Sequence, residues 1–223
     1  MSLFQDAADW LADPVNWSGP SGIPQRVAEH LAITAFVLVV ACAIALPLGV
    51  LVGHTRRGRG AVVVLTSGVR AIPTLGLLTI LGLSLGIGLA APVIALIVLA
   101  VPPLLAGAYA GIEAVSPDAV DASRGVGMTE WQLVQQVELP LALPVIVGGL
   151  RSATLQVVAT ATLAAYVADA GLGRYLFSGL KSRQYSEMLG GAILVALLAL
   201  VLEIALALIQ RLLTTTPTQA GRP

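Results

Sequence analysis

Residues Leu31–Gly53 read LAITAFVLVVACAIALPLGVLVG, and none of them is charged. Only four of them lie outside the apolar set: Thr34, Pro47, Gly49 and Gly53. A helix needs about 20 mainly apolar residues to cross the hydrocarbon core of a bilayer. The stretch therefore predicts a transmembrane helix. Its continuous apolar character excludes the alternating strands of a membrane barrel.

The whole chain shares this apolar character. Of its 223 residues, 57% are hydrophobic and 11% are charged, whereas a soluble domain carries about 25% charged residues. Twelve basic residues balance twelve acidic ones, so there is no basic excess for binding nucleic acid. The single cysteine, Cys42, allows neither an internal disulfide nor a cysteine-based metal site. The composition excludes a soluble enzyme and a disordered chain, and it predicts a polytopic, all-helical membrane protein.

Four further charge-poor runs follow the first helix. We predict an N-terminal arm over 1–30, a transmembrane domain over 31–213 and a polar tail over 214–223. Within the domain we predict helices over about 31–53, 60–82, 89–112, 140–166 and 188–212, with a long loop over 113–139. Glycines and Ser84 in the run Gly82–Gly88 are typical of the hairpin between the second and third helices.

The basic residues indicate an orientation, because Lys and Arg are enriched in short cytoplasmic loops. Arg56, Arg57 and Arg59 directly follow the first helix, whereas the arm before it is mainly acidic. We therefore predict an external N-terminus, a cytoplasmic C-terminus and a cytoplasmic loop 113–139. The predicted outer loop 169–187 opposes this assignment, since it also carries three basic residues.

The loop 113–139 has its own helix signals. Ser116–Asp118 combines a serine cap, a proline at the first helical position and an acidic residue in the first turn. The spacing of Thr129 and Gln132 is that of a capping box. We predict two short helices hinged at Gly125 and Gly127, the second ending at Leu139-Pro140. The pair either presents a docking surface to the cytoplasm or merely packs on the bundle.

The same loop resembles the signature of ABC importer permeases. Asp121-Ala122-Ser123, then Gly127, then Val137-Glu138-Leu139-Pro140 fits the pattern Glu-Ala-Ala, three residues, Gly, nine residues, Ile, one residue, Leu-Pro. Asp, Ser and Val replace Glu, the second Ala and Ile. The resemblance implies a type I ABC importer permease-like bundle of five helices in a bacterial inner membrane. It also implies a coupling helix that docks on an ATPase through Asp121, Ala122, Ser123, Gly127, Trp131, Val137, Leu139 and Pro140.

Other segments resemble the osmoprotectant permeases, which import glycine betaine, choline, carnitine or proline betaine. They are Arg26–Gly49, Arg70–Leu75, Gly125–Thr129, Val137–Ile146 and Ala170–Gly173. The resemblance spans Arg26–Leu213. It implies that partner ATPase subunits hold ATP and Mg²⁺, that an extracytoplasmic protein binds the substrate, and that this chain has no catalytic or cofactor-binding residue.

The chain departs from these permeases in one segment. The departure concerns the second permease subunit, with which such a chain is expected to pair. Family members often have Arg-Asn-Thr where this chain has Ala106-Gly107-Ala108. Because the change removes polar groups, we expect a different partner permease to supply part of the path. The small residues would also allow close helix approach.

Two alternatives stay open beside this interpretation. One is the permease of an ABC importer for amino acids such as methionine. The other is a stand-alone secondary transporter, which would show an internal repeat and paired broken helices. The sequence shows neither of these features, and it has no glycine-rich phosphate loop with which to bind ATP itself.

Ionisable residues inside the predicted helices are candidates for a gate. Such groups are costly in a bilayer and usually have a partner, so we predict an ion-pair cluster that is either a cytoplasmic gate or a structural contact. Tyr109 and Tyr166 either face a quaternary ammonium group or anchor helix ends at the interface. The candidate gate or path residues are Arg70, Pro73, Tyr109, Arg151 and Glu203.

Overall fold

A computed structural model describes residues 2–214 of the chain, and among these residues there are only helices and connecting turns. The α-helices are α1 (Leu3–Ala12), α2 (Ile23–Thr55), α3 (Arg59–Arg70), α4 (Thr74–Leu85), α5 (Ala90–Glu113), α6 (Pro117–Gly125), α7 (Glu130–Leu133), α8 (Leu139–Ala161), α9 (Gly173–Ser182) and α10 (Tyr185–Thr214). Short 3₁₀ turns cover Pro14–Trp17 and Thr162–Tyr166, and a π-helical turn covers Val134–Glu138. The predicted tail 214–223 lies outside the described residues except for Thr214.

Four segments are long and apolar enough to cross a membrane: Ile23–Thr55, Ala90–Glu113, Glu130–Tyr166 and Tyr185–Leu212. The fifth candidate is the pair α3 and α4, which is bent by 84°. The structure corrects the single helix predicted over 60–82, because the chain breaks between Arg70 and Thr74. Pro73 explains the break, since proline lacks an N–H group and disfavours helical geometry in the residue before it.

The N-terminal part is more ordered than the arm predicted over 1–30. Helix α1 begins with a capping box between Ser2 and Gln5, and α2 begins at Ile23 instead of residue 31. The sequence analysis placed the start of α2 too late because it followed the uncharged run, which begins after Arg26 and Glu29. In the structure the two side chains pair at 2.9 Å, and Arg26 is 5% exposed.

Two compact units make up the described chain. Unit 1 contains residues up to 40, 71–100 and 154–202, and unit 2 contains 41–70, 101–153 and the residues from 203 onward. The core of unit 1 includes Ile23, Leu172 and Tyr175. The Trp10 ring meets the Tyr175 ring edge to face at 5.1 Å between centroids, which packs α1 against α9. Helix α9 lies in the segment that the sequence analysis took for a plain outer loop.

Polar side-chain contacts also connect distant segments of unit 1. Arg26 donates to the Asp169 carboxylate at 3.1 Å and to the Asp169 backbone carbonyl at 3.0 Å. The Gly171 N–H donates to Glu29 at 3.0 Å. The fully buried His30 lies 3.0 Å from the Val158 carbonyl through Nε2, and its Nδ1 atom accepts from the Leu172 N–H at 3.4 Å. These contacts tie the start of α2 to the segment between α8 and α9.

The core of unit 2 depends on close contact between helices. A Cβ atom added to Gly107 would lie 2.8 Å from the Gly149 Cα atom, so α5 and α8 touch through backbone. Ala108 is fully buried, and a Cβ atom on Gly49 would overlap its side chain. Gly107 and Ala108 therefore serve packing within this chain. They give no structural argument for a different partner permease, which remains a prediction.

Candidate functional site

The segment between α5 and α8 is folded and anchored in unit 2. Pro117 is the first residue of α6, as the sequence predicts, although the Ser116 hydroxyl makes no capping hydrogen bond. Val120 of α6 packs on a core cluster that contains Ile112 and Ile146. Leu133 at the end of α7 is fully buried. The two short helices are thus fixed to the bundle by apolar side chains.

Helix α7 begins with the predicted capping box. The Thr129 hydroxyl accepts from the Gln132 N–H, and the Gln132 side chain accepts from the Thr129 N–H at 2.9 Å. The structure corrects the predicted helix end at Leu139-Pro140, because α7 continues through the π turn directly into α8. Pro140 lacks the N–H group that a regular α-helix would use at this point, and it directly follows the π turn, where the regular i→i−4 hydrogen-bond pattern is already interrupted. The segment α7, the π turn and α8 thus form one continuous helical stretch.

Charged side chains tie the loop together. Arg124 at the end of α6 donates to both carboxylate oxygens of Glu130, at 3.0 and 2.9 Å, and lies 3.8 Å from Asp121. Hydrogen bonding to Glu130 raises the pKa of Arg124, so this guanidinium stays charged. This two-point contact links α6 to α7 across Gly125 and Gly127.

His54, near the end of α2, joins this network. Its Nδ1 atom lies 2.7 Å from Glu138, and its Nε2 atom lies 3.2 Å from Glu130. The Glu138 side chain is only 6% exposed. The contacts connect the end of α2 to both ends of the α7 and π-turn segment. The sequence analysis did not single out His54, because its partners lie more than seventy positions away along the chain.

Several predicted coupling residues lie on the surface of unit 2. Asp121, Ala122, Gly127 and Pro140 are exposed, and Trp131 is 69% exposed. The side chains of Val137 and Leu139 are half-buried, and the Ser123 hydroxyl donates back to the Ala119 carbonyl at 2.7 Å. Val126, which the sequence analysis did not single out, is 78% exposed. The exposed apolar groups leave a surface that a protein partner could cover.

An apolar cleft of about 660 Å³ lies beside this surface. Leu46, Pro47, Val50 and Leu51 of α2 form one wall. Trp131 and other residues of the segment from α7 to α8 form the opposite wall. His54 and Glu130 also line the cleft, so the cleft and the network share two residues.

The candidate gate residues fall into separate groups. Arg151 and Glu203 form an ion pair, and Gln210 contacts Arg151 while donating to the Pro144 carbonyl at 2.8 Å. Two of the three charged residues predicted to cluster, Arg151 and Glu203, therefore pair with each other. Arg70, at the end of α3, is exposed and makes no ion pair with another described residue.

The two other candidates are a bend and a buried ring. Pro73 lies at the break between α3 and α4. Tyr109 is 9% exposed and packs in α5. Their part in a gate or path stays a prediction. Within residues 2–214, no group of three His, Cys, Asp or Glu side chains could hold a metal ion.

Removal of the Glu138 carboxylate tests the role of this network. We expect Glu138→Ala to leave His54 without its closest acceptor, at a cost of about 1.5–3 kcal/mol. Because the contact joins α2 to the α6–α7 segment, we expect its loss to slow uptake by the assembled importer about tenfold, the change in rate that about 1.4 kcal/mol produces. Asp118→Ala is the matched control, because Asp118 is an exposed acid of α6 without an ion pair among the described residues. Equal uptake by the two variants would contradict the role.

Fold and site together define a multi-span helical membrane protein with an ordered, charge-linked helix pair between two of its spans. Residues 45–216 match the model of a family described as the binding-protein-dependent transport system inner membrane component. The chain belongs to this family. It is a multi-pass permease component of ABC importers in the inner membrane and is not itself an enzyme.

Relatives with assigned substrates are also similar to the chain. It is 35% identical over 189 residues to the glycine betaine/carnitine/choline transport system permease protein OpuCB of Bacillus subtilis (strain 168), which covers 85% of this chain and 87% of the relative. It is 35% identical over 194 residues to the choline transport system permease protein OpuBB of the same organism, covering 87% and 89%. These matches confirm the resemblance found in the sequence.

A solved structure has the same fold. The chain matches the MetNI methionine ABC transporter, solved in inward-facing conformations, with a TM-score of 0.73 and 27% identity. The match covers 86% of this chain and 96% of the transporter chain. It confirms the type I ABC importer permease-like fold.

Proposed function

We propose that this chain is the permease subunit of an ATP-driven importer for osmoprotectants such as glycine betaine, carnitine or choline. The observation that supports the substrate class is the 35% identity to two permeases whose names carry these substrates, over most of both chains. The likeness to the methionine transporter supports a second candidate, an amino-acid importer, at the lower identity of 27%.

In this proposal the chain binds no ATP. Two cytoplasmic ATPase subunits hold ATP and Mg²⁺, an extracytoplasmic protein delivers the substrate, and a second permease subunit completes the path within the lipid membrane. The α6–α7 segment and the C-terminus face the cytoplasm, and the N-terminus is outside. The Arg56–Arg59 cluster after α2 supports this orientation.

The α6–α7 segment supports the role of transmitting ATPase closure. Its helices are tied to each other by Arg124 and Glu130 and to α2 by His54 and Glu138. Its exposed face carries Val126 and Trp131. A rigid helix pair with an exposed apolar face can move as one body when a partner pushes on it, and α7 passes that movement directly into α8.

Uptake measurements test the substrate. We expect cells that contain the complete importer to accumulate labelled glycine betaine, carnitine or choline in an ATP-dependent manner, and a strain lacking this chain to lose that uptake. Methionine serves as the competing candidate in the same assay. Uptake of methionine with none of the three osmoprotectants would contradict the proposal and leave only the family assignment.

A further inference from the structure

A cleft of about 410 Å³ lies within unit 1. Residues of α4 and the turn after it form one wall, among them Thr79 and Leu83. The segment Ala165–Asp169 and two residues of α9, Arg174 and Lys181, form the other. The volume falls within the usual range for small-molecule sites, which is about 300–1,000 Å³.

The charges of this cleft favour an anionic group. Asp169 accepts from Arg174 at 3.2 Å and from Arg26 at 3.1 Å, so its single carboxylate is shared by two guanidinium groups. Lys181 is exposed and forms no ion pair with another described residue. The lining therefore carries two cations against one carboxylate. The Lys181 ammonium is available to a carboxylate from outside the chain.

An aromatic ring lies at the same cleft. Tyr166 is 58% exposed, and its ring centroid is 5.8 Å from that of Phe177. Arg174, Phe177 and Lys181 are spaced by three and four residues on α9, so they share one helix face. Phe177 thus supports the Tyr166 ring, which lines the same cleft as Arg174 and Lys181. An exposed ring face attracts alkylammonium groups.

We propose that this cleft is a subsite for the transported molecule and that it selects zwitterions carrying both a quaternary ammonium and a carboxylate group. The Tyr166 ring contacts the ammonium end, and Lys181 pairs with the carboxylate end. The inference rests on the proposed osmoprotectant function and narrows it. Choline has the ammonium group without the carboxylate, so the net positive lining disfavours it relative to glycine betaine.

Binding to the purified complex tests this inference. We would purify this chain with its co-purifying subunits, without the substrate-binding protein, and titrate glycine betaine and choline by saturation-transfer NMR. We expect Lys181→Gln to weaken glycine betaine binding about two- to fivefold, the range of an exposed ion pair. Choline binding should be unchanged or tighter. Tyr166→Leu should weaken both ligands, and Tyr166→Phe neither.

Arg183→Asn is the matched control. Arg183 is an exposed cation just after α9 that does not line the cleft, and asparagine tolerates its positive φ of 58°. Equal effects of Lys181→Gln and Arg183→Asn would overturn the inference, as would the absence of glycine betaine binding. Uptake of glycine betaine without binding at this cleft would leave the proposed function standing. If glycine betaine is neither bound at this cleft nor transported, both the inference and the proposed function are overturned.

Discussion

Gly149→Leu should prevent the folded permease from accumulating in the membrane. A Cβ atom at this position would lie 2.9 Å from the Gly107 Cα atom and 3.0 Å from the Pro103 carbonyl oxygen. Both neighbours are backbone atoms, so α5 and α8 would have to separate to make room. Overpacking of this kind costs about 1–3 kcal/mol and sometimes more. The measurements are the amount of protein in membranes and thermal unfolding in detergent.

The adjacent glycine provides the control. A Cβ atom on Gly148 would meet only the Gln210 side chain, at an ordinary 3.8 Å. Gly148→Ala should therefore be neutral or slightly stabilising, because alanine favours a helix by about 0.8–1 kcal/mol over glycine. Normal accumulation and unfolding of Gly149→Leu would show that the close approach of α5 and α8 is wrong.

Gly127→Trp should abolish transport while the protein remains folded in the membrane. Gly127 has a φ of +86°, which costs a non-glycine residue about 1–2 kcal/mol. A Cβ atom there meets nothing within 4 Å, so the indole causes no clash inside this chain. It would project from the hinge between α6 and α7, where the ATPase is proposed to dock. Uptake and ATPase co-purification measure the effect.

Gly19→Trp is the matched control for Gly127→Trp, because the two glycines share a positive φ and open surroundings. Gly19 has a φ of +78°, and a Cβ atom there also meets nothing within 4 Å. It lies in the turn before α2, far along the chain from the α6–α7 segment. Gly19→Trp should keep uptake near that of the unmodified importer. Similar uptake by the two tryptophan variants would remove Gly127 from the coupling site.

The local features of the α6–α7 segment could be predicted from the sequence. The Thr129–Gln132 capping box and Pro117 at the start of α6 depend on residues within one helical turn of each other. Their hydrogen bonds need no distant partner. The same locality explains why the apolar runs placed α5 and α10 correctly, to within a few residues.

The errors arose where distant contacts decide the structure. Burial of Arg26 against Asp169 allows α2 to begin at Ile23, and these two residues are far apart in the chain. Packing of α9 through Tyr175 turns a predicted loop into a helix. The break at Pro73 could have been suspected from the proline, but no local feature of the sequence gives the 84° angle.

In the candidate site, too, some features could be predicted from the sequence, whereas contacts between distant residues could not. The cost of an ionisable group in a bilayer was enough to predict that Arg151 and Glu203 would find partners. No pattern connects His54 with Glu138, because the pairing depends on how α2 packs against the π turn. Likewise, the sequence showed that Gly107 is small but not that Gly149 lies against it.

Cross-linking at the surface of the α6–α7 segment tests the central claim most directly. Val126 is 78% exposed and belongs to neither the charged network nor the cleft, so a photoreactive side chain there should leave the fold intact. The tagged chain would be irradiated in membranes, purified, and its adducts identified by mass spectrometry. We predict an adduct with an ATPase subunit that carries a nucleotide-binding phosphate loop. Co-purification of that ATPase without an adduct at Val126, together with an adduct from Leu180 of α9, would contradict the assignment of the coupling surface.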